Sequence, residues 1–326
     1  MSTRLSDYDY ELPPELIAQH PLPRREDSRL LVLHRDRQTI EHARFIDLKS
    51  FLRGGDLLVL NNSRVLPARH FSDDGRIEFL FLQKLTPRRW KALVGPGRRF
   101  RTGRAVSIKG VRVEAGKYFS DGSREILLSD EVDFQRSGLL PLPPYITRSN
   151  GAEDKTRYQT VFARSDGSLA APTAGLHFTP EILAAIPHVF VTLHISTATF
   201  RPVKTDNISH HQMHPERFCV SGQAAHAIRN AARRIAVGTT SVRVLESMYR
   251  QFGEMRAIES ETNIFIYPPF QFHTVDVLLT NFHLPRSTLL MLVSAFAGRD
   301  FVLRAYKEAV RAHYRFLSYG DCMLIF

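Results

Sequence analysis

The chain has 326 residues, 43% of them hydrophobic, so it can bury a large core, and its length sets a prior of two domains. Its formal charge is +11, from 44 Lys and Arg against 33 Asp and Glu, and a net cation of this size attracts polyanions. No apolar run is long enough for a membrane span, the polar start lacks an apolar signal core, and two cysteines, Cys219 and Cys322, make neither a disulfide framework nor a cysteine zinc site. A reduced, cytoplasmic protein of enzyme size is expected.

In chain order, Leu12 to Ala18 reads as a short proline-started helix ended near Pro21 and Pro23. Leu30 to Leu33 is strand-like, and Phe45 to Leu52 has helical spacing broken by Gly54 and Gly55. Asp56 to Leu60 is a continuous apolar run, the pattern of a central strand buried on both faces. It leads into Asn61, Asn62, Ser63 and Arg64, polar residues at a strand's carboxyl end, where open α/β sheets place ligands. Asn61 and Asn62 also suit a turn whose side chains cap the backbone, a reading that explains Arg64 less well, with a structural salt bridge as its alternative.

Residues 67–135 change to period-two runs: Ile77, Phe79 and Phe81, then Val106, Ile108, Val111 and Val113. Glycine-bearing turns separate them, which predicts an antiparallel barrel or a small sandwich. Arg88, Arg89, Lys91, Arg98, Arg99, Arg101 and Arg104 crowd this piece with no acidic residue among them. Trp90 and Phe100 interleave with these cations, which favours nucleic-acid contact by stacking and charge over a merely solvated face. Leu140 to Pro144 reads as a stiff extended linker, and Tyr158 to Phe162 as helical or mixed structure.

The α/β pattern then returns. Strands are expected at His188–Ile195, Arg234–Gly238, Asn263–Tyr267, Val275–Leu279 and Cys322–Phe326. Helices are expected from Ser221 to about Arg233, from Thr239, from Ser287 to Ala297, and from a cap at Asp300 to about His313. The most economical organisation is a mixed α/β sheet with flanking helices, formed by residues 1–66 and 145–326, with an antiparallel β-barrel domain inserted at 67–144.

Five stretches carry candidate chemistry. Ala170 to Phe178 has no helical or strand period; Pro172 and Gly175 shape its backbone, and Thr173 and His177 are its polar groups. It reads either as a substrate-cradling loop or as a tight packing turn with a satisfied histidine. Gly238, Thr239, Thr240 and Ser241 join a strand to a helix, a loop that suits a carboxylate or phosphate, or simply an ordinary capped helix. Arg243 and Glu246 are spaced to pair on that helix, or Glu246 to meet a ribose diol. His210, His211 and His214 lie close together without the spacing of a zinc site, so exposed or acid/base roles are preferred and no metal is expected. His194 opens a hydroxyl-rich strand exit, and Asn281 and His283 follow another apolar strand.

Several longer motifs occur in one order: Gly55 to Arg69, Leu142 to Ile146, Ala170 to Phe178, Val237 to Arg243, Leu279 to Pro285, and Tyr314 to Asp321. Together they resemble the S-adenosylmethionine:tRNA ribosyltransferase-isomerase family of queuosine biosynthesis across almost the whole chain. The resemblance implies an enzyme that transfers the ribosyl part of S-adenosylmethionine, its co-substrate, to the aminomethyl group of a 7-deazaguanine at the tRNA wobble position. Epoxyqueuosine, adenine and methionine are the products, and no prosthetic group, no membrane and a monomer are expected. Such chemistry needs a general base near the sulfonium and a proton donor for adenine, and His177, His194, His211, His214 and His283 are the candidates, His177 first.

Asn61, Arg64, Thr173, Gly175, Thr199, Gly238, Thr239, Thr240, Arg243, Glu246 and Asn281 are implied for S-adenosylmethionine or the modified base. Arg88, Arg89, Lys91, Arg98, Arg99 and Arg101 are implied for the tRNA. Ser196 and Ala198 stand where family members carry glycines, Pro269 where they carry glycine, and His210 where they carry an acid. A catalytically impaired, tRNA-binding member is the alternative these positions raise.

Overall fold

The structure, a computed structural model, describes residues 3–132, 138–196, 203 and 205–326. The strands are β1 (Arg29–His34), β2 (Thr39–Arg44), β3 (Asp56–Asn61), β4 (Ser63–Val65), β5 (Arg69–Phe71), β6 (Glu78–Thr86), β7 (Arg89–Gly95), β8 (Ala105–Ile108) and β9 (Val111–Tyr118). They continue as β10 (Arg124–Leu128), β11 (Ser165–Ser168), β12 (His188–Leu193), β13 (Glu216–Val220), β14 (Arg233–Val237), β15 (Ile258–Thr262), β16 (Val277–Asn281) and β17 (Cys322–Ile325). The α-helices are α1 (Asp154–Arg157), α2 (Pro180–Ala184), α3 (Gly222–Asn230), α4 (Thr239–Phe252), α5 (Thr288–Ala297) and α6 (Arg299–Arg311).

Nine strands form one mixed sheet in the order β15-β13-β12-β3-β14-β16-β17-β1-β2. Its centre, β12-β3-β14-β16, is parallel, so four strands end on the same edge. Period two sorts the side chains. Leu31, Leu33, Leu57, Val59, Ala236 and Leu278 enter the core beneath α3 to α6. Leu30, Val32, Leu58, Leu60, Val237 and Leu279 enter a second core with Phe45, Phe178 and Leu183 on the opposite face. Both faces are covered, which is why β3 reads as an unbroken apolar run.

Six antiparallel strands, β5-β6-β7-β10-β9-β8, form a nearly closed barrel inserted between β4 and β11. The two edges approach where the Asp73 amide donates to the Ser107 carbonyl (2.8 Å) and the Asp73 carboxylate accepts from the Lys109 and Gly110 amides (2.6 and 3.1 Å). Phe79, Phe81, Phe100, Val113 and Ile126 fill its interior.

Several sequence expectations shift. The strand expected at 263–267 is β15, five residues earlier, paired with β13. Ile264 and Ile266 alternate in burial because they pack against the main core without a ladder partner. The strand expected at 275–279 begins and ends two residues later, which brings Asn281 onto β16 itself. Residues Phe45–Phe51 wind as a 3-10 helix, and α6 is preceded by Gly238-like backbone at Gly298 (φ +87°), with Asp300 in its first turn rather than at its cap. The proline-rich stretch before Tyr145 does not swing free, since Leu140 and Leu142 pack with Val65 and Tyr158.

Candidate active site

The parallel strands stop at one edge of the sheet, and the loops that leave them enclose a cavity of about 300 Å³. This lies within the size range of small-molecule sites and at the strand ends where open α/β sheets bind ligands. Gly238, Thr239 and Thr240 arrive from β14, Thr280, Asn281 and His283 from β16, and Ile195 from beyond β12. The Ala170–Ala174 stretch forms a further wall, and Tyr145, Leu317 and Ser318 complete the lining. Most of the wall is apolar: Ala170, Ala171, Pro172, Ala174, Phe282, Leu284 and Leu289 all contribute. Among the described residues, Arg286 is the only lining residue with a formal charge, and no carboxylate lines the cavity.

Local sequence explains the edge at α4. Gly238 takes φ +86° and ψ 154°, a conformation open essentially to glycine alone, and so turns β14 directly into the helix. The Ser241 and Val242 amides close the first turn onto the Gly238 carbonyl. The Thr239 and Thr240 amides precede that turn at the positive end of a 14-residue helix. The Thr240 hydroxyl is buried without a partner.

His177 does not line this cavity. It ends the 3-10 turn Thr173–His177 and sits directly behind Asn281, its Nε2 3.2 Å from Asn281 Oδ1 and its Nδ1 2.8 Å from Ser28 Oγ. Burial lowers its pKa to about 4, so the ring is neutral at physiological pH. His283 does line the cavity. Its Nε2 lies 3.0 Å from Thr280 Oγ1, and its backbone is held by Tyr306 Oη (3.1 Å) and Tyr10 Oη (2.5 Å). Desolvation lowers its pKa to about 3.

The remaining histidines lie elsewhere. His194 Nδ1 is 2.8 Å from Ser63 Oγ, and burial, then the Arg217 charge, lowers its pKa. His211 sets its ring edge-on to Phe265, and His214 is exposed. Among the described residues, no three His, Cys, Asp or Glu side chains gather where they would hold a metal ion.

The other expected ligand residues divide in the same way. Thr173, Gly238, Thr239, Thr240 and Asn281 line the cavity, and Thr199 falls outside the described residues. Asn61 is engaged internally: its Oδ1 accepts from the Leu193 and Ser63 amides (3.0 and 3.1 Å) and its Nδ2 donates to the Leu193 carbonyl (2.9 Å), locking β3 to β12. Arg64 is exposed, 3.6 Å from Asp166.

Gly175 is not in the left-handed region. Its constraint is space, since an added Cβ would lie 2.7 Å from Phe162 Cζ and 2.8 Å from Thr160 Cγ2. Arg243 and Glu246 do not pair. Arg243 bonds Glu216, while Glu246 accepts from the His273 and Thr274 amides and the Thr274 hydroxyl. The Glu246 carboxylate is thus engaged from inside the fold, whereas Arg243 Nε and Nη2 are buried with no hydrogen-bond partner among the described residues.

The barrel cations also sort themselves. Arg88 lies 3.6 Å from Asp130, Lys91 lies 2.7 Å from Asp121, and Arg89 bonds Glu125. Arg98, Arg99, Arg101 and Arg104 are exposed; the first three have no acidic partner among the described residues, while the Arg104 charge acts on Asp74. The stacking surface expected of Phe100 is not available, because Phe100 is fully buried edge-on to Phe79. Trp90 is partly buried against the barrel core, edge-on to Phe81, with Lys84 Nζ over its ring.

Residues 5–325 match the family described as queuosine biosynthesis protein. S-adenosylmethionine:tRNA ribosyltransferase-isomerase from Halothermothrix orenii is 49% identical over 99% of both chains. The protein of the same name from Symbiobacterium thermophilum is also 49% identical, again over 99% of both chains. The chain belongs to the S-adenosylmethionine:tRNA ribosyltransferase-isomerases of queuosine biosynthesis. A crystal structure of S-adenosylmethionine tRNA ribosyltransferase from Thermotoga maritima superposes with a TM-score of 0.58 at 40% identity, covering 98% of this chain and all of that one.

Within this ribosyltransferase-isomerase framework, Ser28 is a cluster residue that sequence reasoning missed. It lies 149 positions from His177, and no local pattern marks it. Tyr145 and Ser318 carried a usable signal, because both fall inside quoted family motifs and their hydroxyls meet at 2.7 Å.

Proposed function

We propose that this chain binds S-adenosylmethionine in the cavity at the carboxyl edge of the sheet and transfers its ribosyl group to the aminomethyl group of a 7-deazaguanine at the tRNA wobble position. The products are epoxyqueuosine in tRNA, adenine and methionine. The observation that carries this reading is the pairing of an apolar cavity, free of carboxylates among the described residues, with the open start of α4. The methionine carboxylate is an anion and suits the Thr239 and Thr240 amides. The sulfonium finds no counter-charge among the described lining residues, so its adjacent protons stay strongly acidified.

His283 is the one imidazole in the lining among the described residues, and it is uncharged at physiological pH. A neutral ring nitrogen beside a cation is positioned to take a proton, its low basicity offset by the acidity that the sulfonium confers. The tRNA is assigned to the barrel face bearing Arg98, Arg99, Arg101 and Arg104, where charge is least compensated.

The test is direct. Purified protein given S-adenosylmethionine and tRNA carrying the aminomethyl base should release adenine and form epoxyqueuosine, and His283→Ala should release adenine far more slowly with its tRNA affinity retained. No adenine from the wild-type protein would remove the reading, and unchanged turnover in His283→Ala would remove that residue from the chemistry.

A further inference from the structure

The chain Ser28–His177–Asn281–Leu317 fixes the orientation of one amide in the cavity wall. Asn281 Nδ2 donates to the Leu317 carbonyl at 2.9 Å, which forces Oδ1 toward His177. His177 Nε2, 3.2 Å from that oxygen, therefore carries the ring proton. A neutral ring then leaves Nδ1 bare, so the Ser28 hydroxyl 2.8 Å away donates to it, rather than to the Arg25 carbonyl at 3.2 Å. Each link determines the next, and none of the three side chains can be reversed without breaking a buried hydrogen bond.

A primary amide has two lone pairs on oxygen and two protons on nitrogen. The internal bonds use one of each, so Asn281 keeps one acceptor and one donor in a residue that is 1% exposed and lines the cavity. That is the complement of an adenine edge, where a 6-amino donor adjoins a ring-nitrogen acceptor. We propose that Asn281 reads the adenine of S-adenosylmethionine and that His177 is a positioning residue which locks the reading amide, not the base that removes a proton. Ala171, Pro172 and Leu317 offer apolar wall on which a flat ring lies. The depth of Asn281, 1% exposed, favours the base of the free co-substrate over one carried on a tRNA.

This assignment rests on the cavity being the S-adenosylmethionine site. The experiment compares kcat/KM for S-adenosylmethionine with that for its hypoxanthine analogue, in which the 6-amino donor becomes a carbonyl acceptor, using full-length protein and modified tRNA. The wild-type protein should prefer the adenine donor by about 10- to 100-fold, and His177→Ala, whose amide loses one of its two fixing bonds and is held by the Leu317 carbonyl alone, should prefer it several-fold less strongly than the parent. His177→Gln restores an N–H at the relay and should recover most of the preference, which a merely structural role would not produce. Ser28→Ala, the milder change, should lower the preference in the same direction should His177→Ala fail to fold.

Equal use of both donors by an active wild-type protein overturns this inference alone. An undiminished preference in His177→Ala or in Ser28→Ala does the same. A wild-type protein that releases no adenine overturns the cavity reading and this inference together.

Discussion

Gly238→Ala isolates the contribution of one backbone conformation. An added Cβ would sit 3.5 Å from Thr240 Oγ1 and 3.6 Å from Ala174 Cβ, ordinary contact distances, so no clash enters the account. What remains is the conformation itself: φ +86° with ψ 154° costs a side-chain-bearing residue about 1–3 kcal/mol. If the fold holds the backbone in place, that strain appears as lost stability, read from the urea midpoint at unchanged m-value. If the backbone relaxes, the Thr239 and Thr240 amides rotate away from the cavity. Loss of one hydrogen bond to a charged carboxylate, about 1.5–3 kcal/mol, then raises KM for S-adenosylmethionine by about 10- to 100-fold. Urea unfolding and adenine release at varied S-adenosylmethionine measure both arms on one preparation. An unfolding free energy within about 0.5 kcal/mol of the parent, together with an unchanged KM, would refute the reasoning.

Neutralising Arg98, Arg99 and Arg101 to Gln should weaken tRNA binding and lower the slope of log K against log salt by about 2 to 3, and an unaltered slope would place the tRNA on another surface. A pH prediction follows from His177. Its folded pKa of about 4 lies below the unfolded value of about 6.5, so the unfolded chain binds the extra proton and stability falls as pH drops from about 6.5 toward 4. Replacing it by Gln should therefore reduce the loss of stability between pH 7 and pH 5.5 by about 1 kcal/mol, measured by urea unfolding at each pH, and an acid sensitivity equal to the parent's would contradict the neutral assignment.

Where local sequence and local structure obey the same rule, the chain was readable. The unbroken apolar run of β3, the alternation of the barrel strands and the start of α4 after Gly238 follow from period, turn chemistry and burial, which neighbours in sequence settle among themselves. The family motifs carried the activity class, because several long stretches in one order constrain identity more than any single residue does. The strand misplaced to 263–267 shows the limit of period: alternation records which side chains are buried, and Ile264 and Ile266 are buried without belonging to a ladder.

Tertiary structure alone decided which polar groups remain free. Asn61, Arg243 and Glu246 have the chemistry of ligand residues, yet each is engaged by a partner distant in sequence: Leu193, Glu216 and Thr274. Phe100 stands among arginines in sequence and inside the barrel in space. His177, the most prominent histidine of the most distinctive loop, faces Ser28 and Asn281 rather than the cavity, while His283 lines it. Sequence specifies what a side chain is able to bond; only the folded chain determines whether another residue already satisfies it, because the partners that compete with a ligand arrive from other elements, 27 to 149 residues away.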